Sequence, residues 1–150
     1  MSLQSIDSIQ AAVLEVKLRY LPEWNQQRRL LASNYDDLFR AAGLGAASTA
    51  EGIVLPITDA RATHVFHQYT VRVPRRDALR EYLTSKKIGS EIYYPLPLHM
   101  QASLANLGYN KGDFPVTELA ADEVLSLPMY SELREDEQQT VVDAIREFYA

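Results

Sequence analysis

The sequence predicts an α+β domain: a long amino-terminal helix, kinked near Pro22, and a small three- to four-stranded, mostly antiparallel sheet covered by helices. Three observations carry this. Apolar residues from Ile9 to Leu38 recur at three- and four-residue spacing. Short runs rich in β-branched and aromatic residues stand at 52–58, 64–73, 90–94 and 124–127. Helical patterns separate most of these runs, and strands that alternate with helices in this way pack as one sheet under a helical layer. The 150 residues suit a single domain, and neither a repeat nor a low-complexity segment divides them.

Taken in order, Asp7 or Ser8 caps a helix whose stripe is Ile9, Val13, Val16 and Tyr20. Pro22 interrupts it near Leu21, because proline clashes with a preceding helical turn but suits a first one. A second helix follows, with Trp24, Leu31, Tyr35 and Leu38 inward, and it stops at Gly43-Leu44-Gly45. The whole run is about 36 residues, or roughly 54 Å if straight. GIVLPIT (52–58) reads as a strand that Pro56 places partly at an edge. HVFHQYTVRV (64–73) reads as the strongest strand, with Val65, His67, Tyr69, Val71 and Val73 on one face. A helix over 76–87 turns Leu79 and Leu83 inward, and SEIYY (90–94) reads as a strand halted by Pro95. Residues 95–99 are too proline-rich for regular structure, and 103–107 form a short helical turn. Pro115 opens a helix to about Asp122, 124–127 is a short strand, and an amphipathic helix from about Glu132 carries Val141, Ile145 and Phe148 on one face.

Composition excludes several functions. With Lys plus Arg at 15 against Asp plus Glu at 20, the net charge is −5. That is no footprint for nucleic acid. There are no cysteines, so disulfides and thiolate chemistry are out. No stretch is long and apolar enough for a membrane helix. The amino terminus lacks the basic region of a signal peptide. His64 and His67 fall on opposite faces of a strand, so they cannot share a metal there. The carboxylates cluster at helix starts, where the macrodipole favours them. None of the four lysines, Lys17, Lys86, Lys87 and Lys111, sits in an apolar sequence that would depress its pKa for Schiff-base work. Tyr93, Tyr94, His99 and Gln101 are different: they flank a proline-rich loop, where functional side chains are often presented.

An ordered series of blocks then carries a family resemblance. They include Asp7-x-x-Gln10-Ala11-Ala12-Val13-Leu14, Trp24-Asn25-x-x-Arg28, His64-Val65-Phe66-His67-x-Tyr69 and Arg76-Asp77-x-Leu79. Tyr94-Pro95-x-Pro97-Leu98-His99-x-Gln101, Phe114-Pro115-Val116-x-Glu118 and Leu125-Ser126-Leu127-Pro128-Met129-Tyr130 follow. Over nearly its whole length the chain resembles the C-terminal portion of the DegT/DnrJ/EryC1/StrS sugar aminotransferases. Leu3, Gln4 and Ser5 stand where that family usually has Asn-x-Arg, Pro22 where it commonly has an acidic residue, and Ser131 where it often has proline.

The resemblance implies the small C-terminal domain of a pyridoxal-phosphate (PLP) enzyme of fold type I. It implies PLP as cofactor of the full-length enzyme, with none bound to this chain alone, because the family's Schiff-base lysine belongs to a large domain. It further implies a nucleotide-linked keto-sugar substrate, an amino-acid donor and a cytoplasmic location. Without the large domain the apolar stripe of the first helix is expected to be exposed, which predicts a homodimer formed through that helix. Tyr93, Tyr94, His99 and Gln101 become substrate-side candidates, with no catalytic, cofactor or metal ligand in the chain. Gln10, Trp24 and Arg28 read as structural. The expected isolated chain is inactive; the alternative is a stand-alone, non-catalytic binding or dimerisation module from a truncated gene.

Overall fold

The computed structural model describes residues 7–150. The positions aligned with the family's Asn-x-Arg, Leu3 to Ser5, lie outside them. The expected break is present: α1 runs Ser8–Leu18 and α2 runs Leu21–Ala41. The Asp7 carboxylate accepts the Gln10 N–H at 2.8 Å and starts α1. Pro22 lies in the first turn of α2, where its missing N–H is no loss. Gly43 ends α2 at φ 70°, with its N–H on Arg40 O and the Leu44 N–H on Phe39 O. That pair of bonds is a Schellman cap and needs the left-handed residue that glycine supplies.

The sheet is smaller than expected. It has two antiparallel strands, β1 (Tyr69–Arg72) and β2 (Val124–Leu127), with Tyr69 opposite Leu127 and Arg72 opposite Val124. The run at 52–58 contributes two isolated bridges, Ile53 to Gly45 and Val54 to Arg72, and the run at 90–94 contributes one, Glu91 to Ser126. These rows flank β1 and β2, but only the central pair are strands. Pro56 removes a donor soon after the Val54 bridge, and Pro95 closes the other side soon after Glu91. The predicted long strand over 64–73 is also shortened. His64 Nδ1 accepts the Phe66 N–H at 2.9 Å, and Phe66 takes φ 46°. A left-handed residue destroys the two-residue alternation, so strand geometry starts only at Tyr69. The opposite-face argument for His64 and His67 therefore lapses. Even so, no group of metal-ligating side chains assembles among the described residues.

The core lies between one sheet face and three helices: α2, α3 (Arg76–Ser85) and α5 (Glu135–Tyr149). Tyr35, Phe39, Tyr69, Leu79, Leu83, Leu125, Val142 and Ile145 are fully enclosed. The inward residues of α2 are Leu31, Ala32, Tyr35 and Phe39; Trp24 and Leu38, expected inside, are only half-buried. Tyr35 stacks on Tyr69 at 4.8 Å between ring centroids. Gln138 is fully buried on α5, yet satisfied: it donates to Leu31 O and accepts from Asn34 Nδ2, both at 2.8 Å. Buried Arg76 donates to Ala121 O and Val124 O, joining the start of α3 to the end of α4 (Pro115–Glu123).

Helix α1 differs from all of these. None of its residues is buried, and Ile9, Val13, Val16 and Leu18 are at least half exposed. No helix among the described residues is long and apolar enough to cross a membrane.

Candidate functional site

Leaving β1, α3 and the Glu91 bridge, the chain enters a segment without regular α or β structure until α4. Within it are two short 3₁₀ turns, Leu98–Met100 and Ala102–Leu107. Prolines at 95 and 97, flanking Leu96, remove two backbone donors and prevent a longer helix. With α4 the segment encloses an open, almost wholly apolar cleft of about 360 Å³. Tyr93, Tyr94, Leu98 and Gln101 form one wall, and Thr117, Ala120 and Ala121 of α4 the other. The two tyrosine rings meet edge to face at 5.9 Å, and Tyr94 remains 76% exposed.

Three of the four sequence candidates thus share this cleft, and the fourth points elsewhere. The His99 side chain is 7% exposed and its Nε2 lies 3.0 Å from Glu118 Oε1. Its ring packs on Phe114 at 4.8 Å, and Phe114 in turn meets Tyr109 at 5.0 Å. The Glu118 carboxylate also accepts the Gly112 N–H, at 2.7 and 3.0 Å to its two oxygens, and the Phe114 N–H at 3.4 Å. These donors, the Gly112 amide foremost, hold its pKa below the ordinary carboxylate range.

The α4 wall was not picked out from sequence. Its signal is the spacing of Thr117, Ala120 and Ala121: small residues three and four apart share one helix face and leave room beside it. A second cleft of about 350 Å³ adjoins the first at Tyr93 and is more polar, with Gln68, Glu91 and Ser126 on its rim.

On another face, α1, α2 and the 65–67 turn border a wide apolar groove of about 900 Å³ lined by Leu14, Leu18, Trp24, Arg28, Val65 and His67. The Arg28 Nε is buried there without a hydrogen-bond partner, although Nη1 reaches Asn25 Oδ1 at 3.4 Å.

The donor set does not fit PLP as an internal Schiff base. All four lysines are exposed. Lys86 is paired with Glu147 at 3.1 Å, which raises its pKa, the opposite of what a nucleophilic amine needs.

The sequence matches the DegT/DnrJ/EryC1/StrS aminotransferase family over residues 4–146. It is 46% identical over 144 residues to a pleiotropic regulatory protein of Geobacillus stearothermophilus, covering 96% of this chain and 37% of that protein. It is 38% identical to the dTDP-3-amino-3,4,6-trideoxy-alpha-D-glucose transaminase of Streptomyces venezuelae, covering 95% of this chain and 36% of the relative. Among solved structures, the fold superposes on S. venezuelae DesV, crystallised in complex with a ketimine intermediate, with TM-score 0.85 and 38% identity over 95% of this chain and 36% of that one. The chain therefore spans little more than a third of the length of the relatives it matches.

Proposed function

The chain belongs to the DegT/DnrJ/EryC1/StrS aminotransferase family, and on that premise we propose that it is the C-terminal lobe of a cytoplasmic, PLP-dependent enzyme of fold type I. The enzyme transfers an amino group from an amino-acid donor to a nucleotide-linked keto-sugar. PLP, when bound to the complete enzyme, supplies an electron sink for moving the amino group. This chain contributes no lysine to that chemistry and is inactive alone. Its part is to cover the cofactor cleft and to hold the sugar substrate. Tyr93, Tyr94 and Gln101 do so from the apolar cleft, offering flat rings with polar tips and one amide. His99 serves the same end indirectly, by fixing the loop that presents its neighbours.

The observation that carries this reading is the family match along nearly the whole chain, in a chain little more than a third as long as its relatives. The exposed apolar face of α1 and its groove agree with it. Such a surface is expected to be covered, by the remaining polypeptide and by a second copy in a homodimer.

An immunoblot of source cells with antibody against this domain tests the premise. A band more than twice 17.0 kDa is expected. The complete protein should then aminate a nucleotide keto-sugar with PLP and glutamate, and the 150-residue chain should not. A native band at the chain's own mass would replace this reading with that of a stand-alone module.

A further inference from the structure

From Thr84 to Ala120 no residue is buried. Leu96, Leu98 and Leu107, which would ordinarily anchor such a segment, are 47%, 68% and 55% exposed. Ile88 and Ile92 pack on the core at the start of the segment, but beyond them core packing does little to fix the cleft wall. There one carboxylate gathers several of the hydrogen bonds. Glu118 stands on α4 beside Thr117, a cleft-lining residue, and reaches across to His99, which lies between the cleft-lining Leu98 and Gln101. With its remaining acceptor capacity it takes the Gly112 and Phe114 amides. The Asp113 carboxylate closes the same loop on itself through the Asn110 N–H at 2.8 Å. The His99–Glu118 contact is part-buried, its side chains 7% and 15% exposed, so water competes weakly for that bond, while the bonds to the Gly112 and Phe114 amides lie at the surface.

We propose that Glu118 is a positioning residue for the sugar-facing cleft: its carboxylate pins the 95–101 wall, the α4 wall and the 108–114 loop to one point, and so sets the opening between Tyr94, Leu98 and Gln101 on one side and Thr117 and Ala120 on the other. This rests on the reading of that cleft as the side that holds the nucleotide sugar. Glu118 itself does not line the cleft and touches no reacting atom. Its effect passes through His99 on one side and through the loop amides on the other. A wall held largely by hydrogen bonds can be shifted by losing a single partner, and a displacement near 1 Å can cost up to about a hundred-fold in productive turnover.

The test is the full-length protein carrying Glu118→Gln, beside Tyr94→Ala, with steady-state kinetics and amide hydrogen exchange. Glutamine keeps the shape but replaces one acceptor oxygen with a donor. Glu118→Gln is expected to speed exchange at Gly112 and Phe114 and to raise KM for the nucleotide sugar roughly ten-fold, with a smaller change in kcat and in KM for the amino donor. If Glu118→Gln fails to fold, Glu118→Asp, which keeps the charge but shortens the reach, carries the same measurement. Faster exchange with an unmoved sugar KM overturns the positioning role, as does an equal fall in kcat for both substrates with KM unchanged. Tyr94→Ala separates the two layers of inference. A raised sugar KM in Tyr94→Ala alone overturns only the role of Glu118. An unmoved sugar KM in both variants overturns the cleft reading and the positioning role together.

Discussion

Between Leu83 and Ala121 no residue is fully buried, whereas α2, β1, β2 and α5 on either side hold the fully enclosed Tyr35, Phe39, Tyr69, Leu125 and Ile145. The two regions are ordered by different forces. The enclosed body is held by apolar area removed from water, which is non-directional and grows with every contact. The 84–120 segment is held by directed polar contacts: Glu91 to Ser126 at the sheet edge, His99 to Glu118, and Glu118 to the loop amides. Leu96, Leu98 and Leu107 are left at the surface, while Ile88 and Ile92 pack on the core. A region that spends its large side chains outward is suited to meeting something else, and that is the physical sense of a cleft wall. Helix α1 poses the same contrast in miniature. It is as apolar as a core helix, yet buries nothing among the described residues.

That contrast can be broken at the body first. Phe39→Ala removes a fully buried ring from the stack with Tyr35 and should cost about 3–5 kcal/mol in urea denaturation. A loss below about 1 kcal/mol would mean that the body is not the stabilising unit. Next, Gln138→Leu removes the second hydrogen bond on Leu31 O and the partner of the part-buried Asn34 Nδ2, and should cost about 1 kcal/mol. An equally stable variant would show that packing alone joins α5 to α2.

In the exposed segment the effects should be smaller and should depend on pH. The Glu118 pKa is depressed in the folded state. Its stabilisation is therefore fully present above the unfolded value, about 4.3, and is lost as pH falls through the depressed folded value. The stability difference between wild type and Glu118→Gln should hold from neutral pH to about 5 and close in more acid solution. A difference that widens on acidification would reverse the assigned polarity of the contact. Last, Val116→Ser, at a position 81% exposed, should change stability by less than about 0.5 kcal/mol. A larger loss in the isolated chain would mean that the segment is held by packing after all.

Legibility from sequence follows the same division. The helices of the body, the break at Pro22, the cap at Gly43 and the strand at 124–127 were readable, because periodicity and proline or glycine chemistry act locally. Leu79, Leu83, Val141 and Ile145 were readable as core for the same reason. The reading failed where local pattern met tertiary geometry. Strands were expected at 52–58 and 90–94, and they supply only isolated bridges, two and one, since a strand needs a partner along its length and not only β-prone residues. Phe66 looked like part of a strand, and the His64 ring bends the chain there instead. At the candidate site, the proline-rich loop drew attention to Tyr93, Tyr94, His99 and Gln101 together, and only three of them face one cleft. That His99 turns to Glu118, 19 residues on, left no trace in spacing.

What the sequence determined by itself was therefore the α+β class, the approximate helix limits and the family, all of which rest on short-range patterns or on ordered blocks of residues. What only the tertiary structure decided was which apolar face found cover. The α2 and α5 stripes meet the sheet, while α1 and the 84–120 wall remain open. Burial belongs to pairs of surfaces, and a stripe of apolar residues reads the same in sequence whether or not its partner surface is present.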